Sequence, residues 1–257
     1  MNLRERLAAD QVTITAWSGV PDCLTVELLA GQPFDAVTLD MQHGGHHEDS
    51  VLRSIVPVQK VGKPVLVRIP VGRFDMASRA LDFGADAVIA PMINSVDDAR
   101  RFAAAMKYPP MGERSWGPTF GAPRAGNQDQ QQWLKNSNDR VLAFAMVETR
   151  TAFDALDGIL AVPGIDGIFV GPSDFSIAWS NGTVVDSTLE DMMDTVAAIA
   201  ERTRKAGKFA AIYVIDPSVT GRVTGMGFRL IATGSEGQLF KLGAASLLRD
   251  IKSSIAG

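Results

Sequence analysis

Val141-Leu142-Ala143-Phe144-Ala145-Met146-Val147-Glu148 is a run of apolar residues closed by an acid, and Gly167-Ile168-Phe169-Val170 soon runs into Gly171-Pro172-Ser173-Asp174. Each run is too short for a typical helix and too continuously apolar for a strand with one face in water. Both read as strands buried on two faces. The same pattern recurs at Val12–Trp17, Ala36–Asp40, Pro64–Ile69, Ala87–Met92, Phe209–Ile215 and Arg229–Thr233, which makes eight runs in all. Longer segments of helical character lie between them. Ser95-Val96-Asp97-Asp98 offers an N-cap followed by acids in the first turn, and Thr188 before Leu189-Glu190-Asp191 is a weaker version. Strand alternating with helix predicts a parallel sheet with helices outside. Eight repetitions in 257 residues, with no break in composition, predict one (β/α)8 TIM barrel over residues 1–257. An open doubly wound sheet is the competing arrangement. No internal repeat or low-complexity tract stands out.

Composition narrows the partners. Hydrophobic residues make up 46% and charged residues 21%, enough apolar mass for a large core. A net charge of −4 argues against nucleic acid or an anionic membrane as the main partner. The single Cys23 excludes an intrachain disulfide framework and a cysteine-based metal cluster, and it reads as a small filler at a helix start. The N-terminus lacks the apolar stretch of a signal peptide, and no window approaches the apolar length of a membrane span, so a soluble cytoplasmic protein is expected. One connection, from Tyr108 through Trp116 to Gly126, is far longer than the rest and rich in Gly, Pro, Arg and aromatics. It is expected to cover the barrel mouth or reach a neighbouring subunit.

In such a barrel the chemistry lies at the C-terminal strand ends. Titratable groups cluster there: Asp40 and His43 after the second strand, Arg68 at the third, Glu148 at the fifth, Asp174 after the sixth. Carboxylates from consecutive strands share a proton or bind a cation. With oxygen donors and no clustered Cys or His on those strands, Glu148 and Asp174 suit a hard cation such as Mg²⁺ or Mn²⁺. Alternatively each pairs with Arg150 or Arg68 and only stabilises the barrel. Arg68, ending a buried strand, needs an anionic partner on the protein or on a substrate. His43 is placed for a general base with Asp40 orienting it, or for a purely structural role, whereas His46 and His47 read as the solvated start of a helix. The backbone N–H groups of Gly171, Ser173 and Asp174 form a turn able to cradle a carboxylate. Trp17, Phe209, Tyr213 and the Trp116 loop are candidates for the remaining pocket wall. Lys63 and Lys208 sit at strand starts, the wrong face for a Schiff base.

Asp40-Met41-Gln42-His43-Gly44, Val67-Arg68-Ile69-Pro70, Ala90-Pro91-Met92, Tyr108-Pro109-Pro110-Met111-Gly112-Glu113-Arg114, Val147-Glu148-Thr149-Arg150 and Gly164 through Ser176 together resemble the HpcH/HpaI aldolase family. The resemblance implies a divalent-metal-dependent (class II) aldolase that cleaves 4-hydroxy-2-oxo acids to pyruvate or hydroxypyruvate and an aldehyde. It implies Glu148 and Asp174 as ligands of Mg²⁺ or Mn²⁺ (Co²⁺ or Zn²⁺ as alternatives) and Arg68 on the keto oxygen. His43 would be the base with Asp40 in support, and the Ser173 and Asp174 amides would hold the substrate carboxylate. It further implies a homohexamer whose dimers exchange the last helix, here from about Glu236. Gln42 departs from the family's usual Glu and puts the tuning of His43 in question. A malyl- or citramalyl-type lyase and a 2-oxo acid decarboxylase are the alternative reactions.

Overall fold

The computed structural model describes residues 1–126 and 129–256. All eight apolar runs are strands: β1 (Thr13–Ser18), β2 (Ala36–Asp40), β3 (Val65–Arg68), β4 (Ala87–Ala90), β5 (Leu142–Val147), β6 (Gly167–Val170), β7 (Phe209–Tyr213) and β8 (Leu230–Ser235). Each pairs in parallel with the next, and β8 closes on β1, so the sheet is a barrel and not an open doubly wound sheet. The helices are α1 (Leu3–Ala8), α2 (Cys23–Ala30), α3 (Glu48–Lys60), α4 (Phe74–Phe83), α5 (Val96–Met106), α6 (Gly121–Arg124) and α7 (Gln130–Arg140). They continue as α8 (Arg150–Asp154), α9 (Leu156–Leu160), α10 (Pro172–Trp179), α11 (Glu190–Lys205), α12 (Thr220–Met226) and α13 (Glu236–Ala256). Strand β4 stops short of Met92 because Pro91 has no N–H to continue the ladder. Ser95 caps α5 as expected, accepting the Asp98 N–H at 3.1 Å. Thr188 caps nothing: its N–H and hydroxyl both donate to Asp186, and α11 starts after Leu189.

Side chains alternate in and out along each strand. On β5, Leu142, Phe144 and Met146 point into the barrel with Leu66, Ile89, Phe169 and Leu230, while Ala143, Ala145 and Val147 face the helices. Leu3 and Leu7 of α1 close the N-terminal end of that interior cluster. The same parity carries Glu148 inward, one step above Met146. On β7 it separates Phe209 from Tyr213 by four residues, about 13 Å along the strand.

A short repeat, not seen as such in the bare sequence, holds the N-terminal face together. Phe34-Asp35-Ala36-Val37, Ala85-Asp86-Ala87-Val88 and Ile165-Asp166-Gly167-Ile168 each put an Asp just before an even-numbered strand. Its carboxylate accepts the N–H of Ile14, Val65 and Ala143 respectively, each at 2.9 Å, at the head of the preceding odd strand. Before β8 that place belongs to Arg229, which pairs with Asp10. Asp166 also collects Arg4 and the buried Lys107 ammonium, whose other partners are the carbonyls of Asn138 and Val141.

The long connection does not cover the barrel mouth. It leaves the end of α5 and so emerges on the N-terminal side, opposite the loops that follow strands. There Arg114 pairs with Asp82 at 2.7 Å, and Arg124 donates to the carbonyls of Phe83 and Leu52. The side chain of Trp116 packs on Tyr108.

Because Lys107 Nζ is buried with three partners, its removal strands two carbonyls and leaves Asp166 with Arg4 and the Ala143 N–H alone. Lys107→Ala is expected to cost about 2 kcal/mol of folding free energy by urea denaturation while leaving ligand affinity at the opposite face unchanged. An undiminished unfolding midpoint would show the cluster to be passive.

Candidate active site

A cavity of about 340 Å³ opens at the C-terminal ends of the strands. Its wall includes Trp17, Gly19, Asp40, His43, Gly44, Arg68, Met146, Phe169, Gly171, Ser173, Asp174 and Tyr213. Larger hollows of about 490 Å³ beside Trp116 and Trp133 and about 550 Å³ beside Cys23 and Phe120 lie among outer helices and loops, away from the strand ends. The mouth cavity is the one where charged side chains from several strands converge, which makes it the candidate site.

Asp40 and Arg68 end the adjacent strands β2 and β3, directly opposite each other in the register. Their contact is bidentate: Arg68 Nε donates to Asp40 Oδ1 at 2.8 Å and Nη2 to Oδ2 at 2.7 Å. The guanidinium lies over the Trp17 ring, 4.8 Å from its centroid, and the Trp17 indole N–H donates to Asp40 Oδ2. Burial raises the Asp40 pKa, but the Arg68 hydrogen bond and charge, with the Gln42 amide and the indole, outweigh it and hold the carboxyl below its ordinary value. Asp40 also accepts the backbone N–H groups of Gln42, His43 and Gly44. The expected Asp40–His43 relay is therefore corrected: Asp40 grips the backbone under His43 and holds Arg68, with its oxygens already occupied. Among the described residues, the exposed His43 ring makes no hydrogen bond and faces the cavity.

Glu148 is buried, 2% exposed, and accepts the Met92 N–H at 2.8 Å. Met92 itself has φ 54°, a left-handed backbone unusual for a residue with a side chain, so the turn after β4 holds strain where it meets this carboxylate. Gly171 makes room on the other side, since a Cβ there would collide with the Glu148 carboxylate. Burial, reinforced by the charge of Asp174 and opposed by the Met92 N–H and by Arg68, pushes Glu148 up to about 7. Neither proposed protein counter-ion reaches it. Arg68 is taken by Asp40, and Arg150 donates to the carbonyls of Ala178 and Trp179 and stacks on Trp179. Among the described residues, Glu148 and Asp174 enter no ion pair, and no group of three or more His, Cys, Asp or Glu is assembled for a metal.

Asp174 and Ser173 lie in the first turn of α10, ahead of its first intrahelical bond, from Phe175 N to Gly171 O. Their amides point out of a helix start, a favourable seat for a carboxylate. Phe209 is a correction: as the first residue of β7 it lies at the opposite end of the barrel, under Arg4 of α1. The aromatic wall at the mouth is Trp17, Phe169 and Tyr213, with ring centroids 6.0 and 5.1 Å from that of Trp17. His46 is also corrected. It is buried, with Nε2 2.9 Å from Ser18 Oγ and Nδ1 3.1 Å from Ser50 Oγ; only His47 is the exposed helix start. Lys63 and Lys208 are tied to backbone carbonyls near the strand starts, and among the described residues no lysine lines the cavity. Met92, through its N–H, and Met146, two residues before Glu148, adjoin the site; apolar residues like these carry no chemical signal in a sequence.

A carboxyl whose folded pKa lies near 7 against an ordinary 4.5 binds its proton more tightly in the folded state. The stabilisation is full below about 4.5 and is lost as pH rises through about 7, roughly 3 kcal/mol at most. In EDTA, wild-type stability is expected to fall across that window and Glu148→Gln to flatten the fall. Parallel pH curves for the two proteins would contradict the assignment.

A family model described as HpcH/HpaI aldolase/citrate lyase matches residues 14–241. Over 232 residues the chain is 32% identical to a hydroxypyruvate/pyruvate aldolase of Roseovarius nubinhibens, covering 90% of this chain and 89% of that protein. It is 28% identical over 251 residues to a 2-keto-3-deoxy-L-rhamnonate aldolase of Klebsiella pneumoniae, covering 97% and 92%. The HpcH/HpaI aldolase of Desulfitobacterium hafniense has the same fold, with a TM-score of 0.87 at 23% identity, covering 98% of this chain and 97% of that one. With the family model spanning most of its length and these relatives spanning nearly all of it, the chain belongs to the HpcH/HpaI aldolase/citrate lyase family and is a carbon–carbon lyase.

Proposed function

We propose that the enzyme cleaves a 4-hydroxy-2-oxo acid to pyruvate or hydroxypyruvate and an aldehyde, with a divalent cation held by Glu148 and Asp174. The observation that carries this is the carboxylate pair without a counter-ion: a buried Glu148 beside Asp174, both unpaired among the described residues, at the mouth of the barrel. An all-oxygen donor pair of this kind fits Mg²⁺ or Mn²⁺ and leaves positions for water and substrate. When bound, the cation supplies Lewis-acid charge that favours the enolate over the ketone.

The protein groups account for the rest. The amides of Ser173 and Asp174 bind the substrate carboxylate, which directs the C2 oxygen toward Arg68. That guanidinium is held in place by Asp40 and Trp17, so it meets developing negative charge without reorganising. His43, at the open side, takes the proton of the C4 hydroxyl. The C3–C4 bond then breaks, its electron pair becomes the C2–C3 double bond of the enolate, and C4 leaves as the aldehyde. His43 then delivers that proton to C3, which gives the 2-oxo acid and makes the same ring, in reverse, the base that exchanges the C3 protons of pyruvate. Trp17, Phe169 and Tyr213 would wall the aldehyde side. Among the described residues the cavity offers one guanidinium, already paired, which disfavours a CoA thioester substrate.

We further propose a homo-oligomer, a hexamer as in the resemblance, with α13 docked on a second copy. The helix leaves Phe240, Leu242, Leu247, Leu248, Ile251 and Ile255 exposed, an apolar face that a lone chain does not cover. Among the described residues no helix is long and apolar enough to cross a membrane.

Pyruvate C3 proton exchange in D₂O, followed by NMR, tests the mechanism. Exchange should vanish with EDTA, return with Mn²⁺ or Mg²⁺, and be lost in Glu148→Ala, while Arg68→Ala should lower it about 10²–10³-fold. Exchange that survives thorough metal removal would sink the reading. Light scattering should return a multiple of the 27.5 kDa chain mass, and truncation after Leu239 should reduce it; a monomer at micromolar concentration would refute the docking of α13.

A further inference from the structure

Glu236, the first residue of α13, is buried at the mouth rim and does not line the cavity. Its Oε1 accepts the Ser18 hydroxyl at 2.6 Å and the Val20 N–H at 3.3 Å, and its Oε2 accepts the Gly19 N–H at 2.9 Å. Ser18 Oγ in turn lies 2.9 Å from His46 Nε2. Three connections meet here: β8 to α13, β1 to α2, and the β2 to α3 loop that carries His43.

Proton accounting fixes the direction of the chain. Both Glu236 oxygens face backbone N–H groups and accept from them, so the single Ser18 hydroxyl proton also goes to this carboxylate. Ser18 Oγ is then left as an acceptor, and His46 must donate from Nε2. On its far side, a neutral ring leaves Nδ1 as the acceptor of the Ser50 hydroxyl proton, with Ser50 Oγ accepting the His47 N–H; that one proton cannot also serve the His47 carbonyl at 2.9 Å. Burial depresses the His46 pKa to about 4 in spite of the nearby Glu236 and Asp40 charges, consistent with a neutral ring of one tautomer. The loop is clamped at the same place by Gly45 N–H on Gly19 O at 2.8 Å. Gly44 is wedged there: a Cβ would run into the Asp40 carbonyl and Gly19 Cα.

We propose that Glu236, Ser18 and His46 form a positioning relay, tying the root of α13 to the loop that presents His43 to the substrate. None of the three needs to touch substrate or metal; they set where the His43 backbone sits, with Asp40 gripping it from inside. The inference rests on the proposed role of His43 for its catalytic consequence, but its structural content stands apart from that role.

The test uses full-length protein with Mn²⁺, in wild type, Ser18→Ala and Glu236→Gln. In wild type the ¹⁵N shifts of the His46 ring should report a neutral, Nε2-protonated imidazole. Each variant should lose amide protection over residues 41–47 in hydrogen exchange. In each, kcat for pyruvate proton exchange should fall about tenfold, with KM and Mn²⁺ affinity within about twofold of wild type. Unchanged loop protection and kcat in both variants would overturn the relay. So would losses of Mn²⁺ affinity and of melting temperature in proportion to activity, which would mark general packing. An Nδ1-protonated or charged His46 would overturn the proton assignment. If wild type shows no metal-dependent exchange, the proposed function fails, and the tautomer and loop protection still decide the relay.

Discussion

The two-pronged contact between Asp40 and Arg68 is the constraint on which the mouth of this barrel depends. A guanidinium at the end of a buried strand has no water to satisfy it, so a partner has to come from the neighbouring strand at the same height. Parallel pairing of β2 with β3 supplies it, since the two residues face each other in the register. Asp40 then does more than neutralise. It accepts the Trp17 indole and three amides of the following loop, so Arg68, the aromatic wall and the His43 backbone are fixed by one carboxylate. A charge already paired in this way is rigid, and rigidity is what lets a donor meet an enolate oxygen at little cost.

Glu148 presents the opposite condition. Its surroundings were shaped by the strained turn at Met92, the missing side chain at Gly171 and the thioether of Met146, and none of these brings a positive charge. A buried carboxylate beside another acid, with its arginine neighbours committed elsewhere, is costly when ionised. That cost is what the proposed cation would offset. The two carboxyls of the mouth are thus held apart in character, Asp40 pushed toward its anion and Glu148 away from it, by environment alone.

The two faces of the barrel divide the labour. On the N-terminal face Asp35, Asp86 and Asp166 each cap the head of a preceding strand, and Lys107 and the long Tyr108–Gly126 connection brace the flank. On the C-terminal face carboxylates are left with work to do. Identical residue types therefore mean stability at one end of a strand and chemistry at the other.

Strand positions were legible because burial on both faces demands continuous apolar runs, and Ala36–Asp40 and Gly167–Val170 match to the residue. Asp40, Arg68 and Glu148, at or just past strand ends, were legible for the same reason, since a charged group closing an apolar run has only the rim to occupy. What the sequence could not supply was partner choice. Height along the barrel it did supply: Phe209 and Tyr213 share a strand and a parity, but Phe209 opens that strand beside Lys208, and the rule that puts the lysine at the floor puts Phe209 there too. His46 follows two glycines and precedes an acidic helix start, a solvated pattern, yet the fold folds it inward onto Ser18. Asp40 pairs with Arg68 and not with the His43 ring because contact across strands is set by register, and register is decided only when the chain closes on itself.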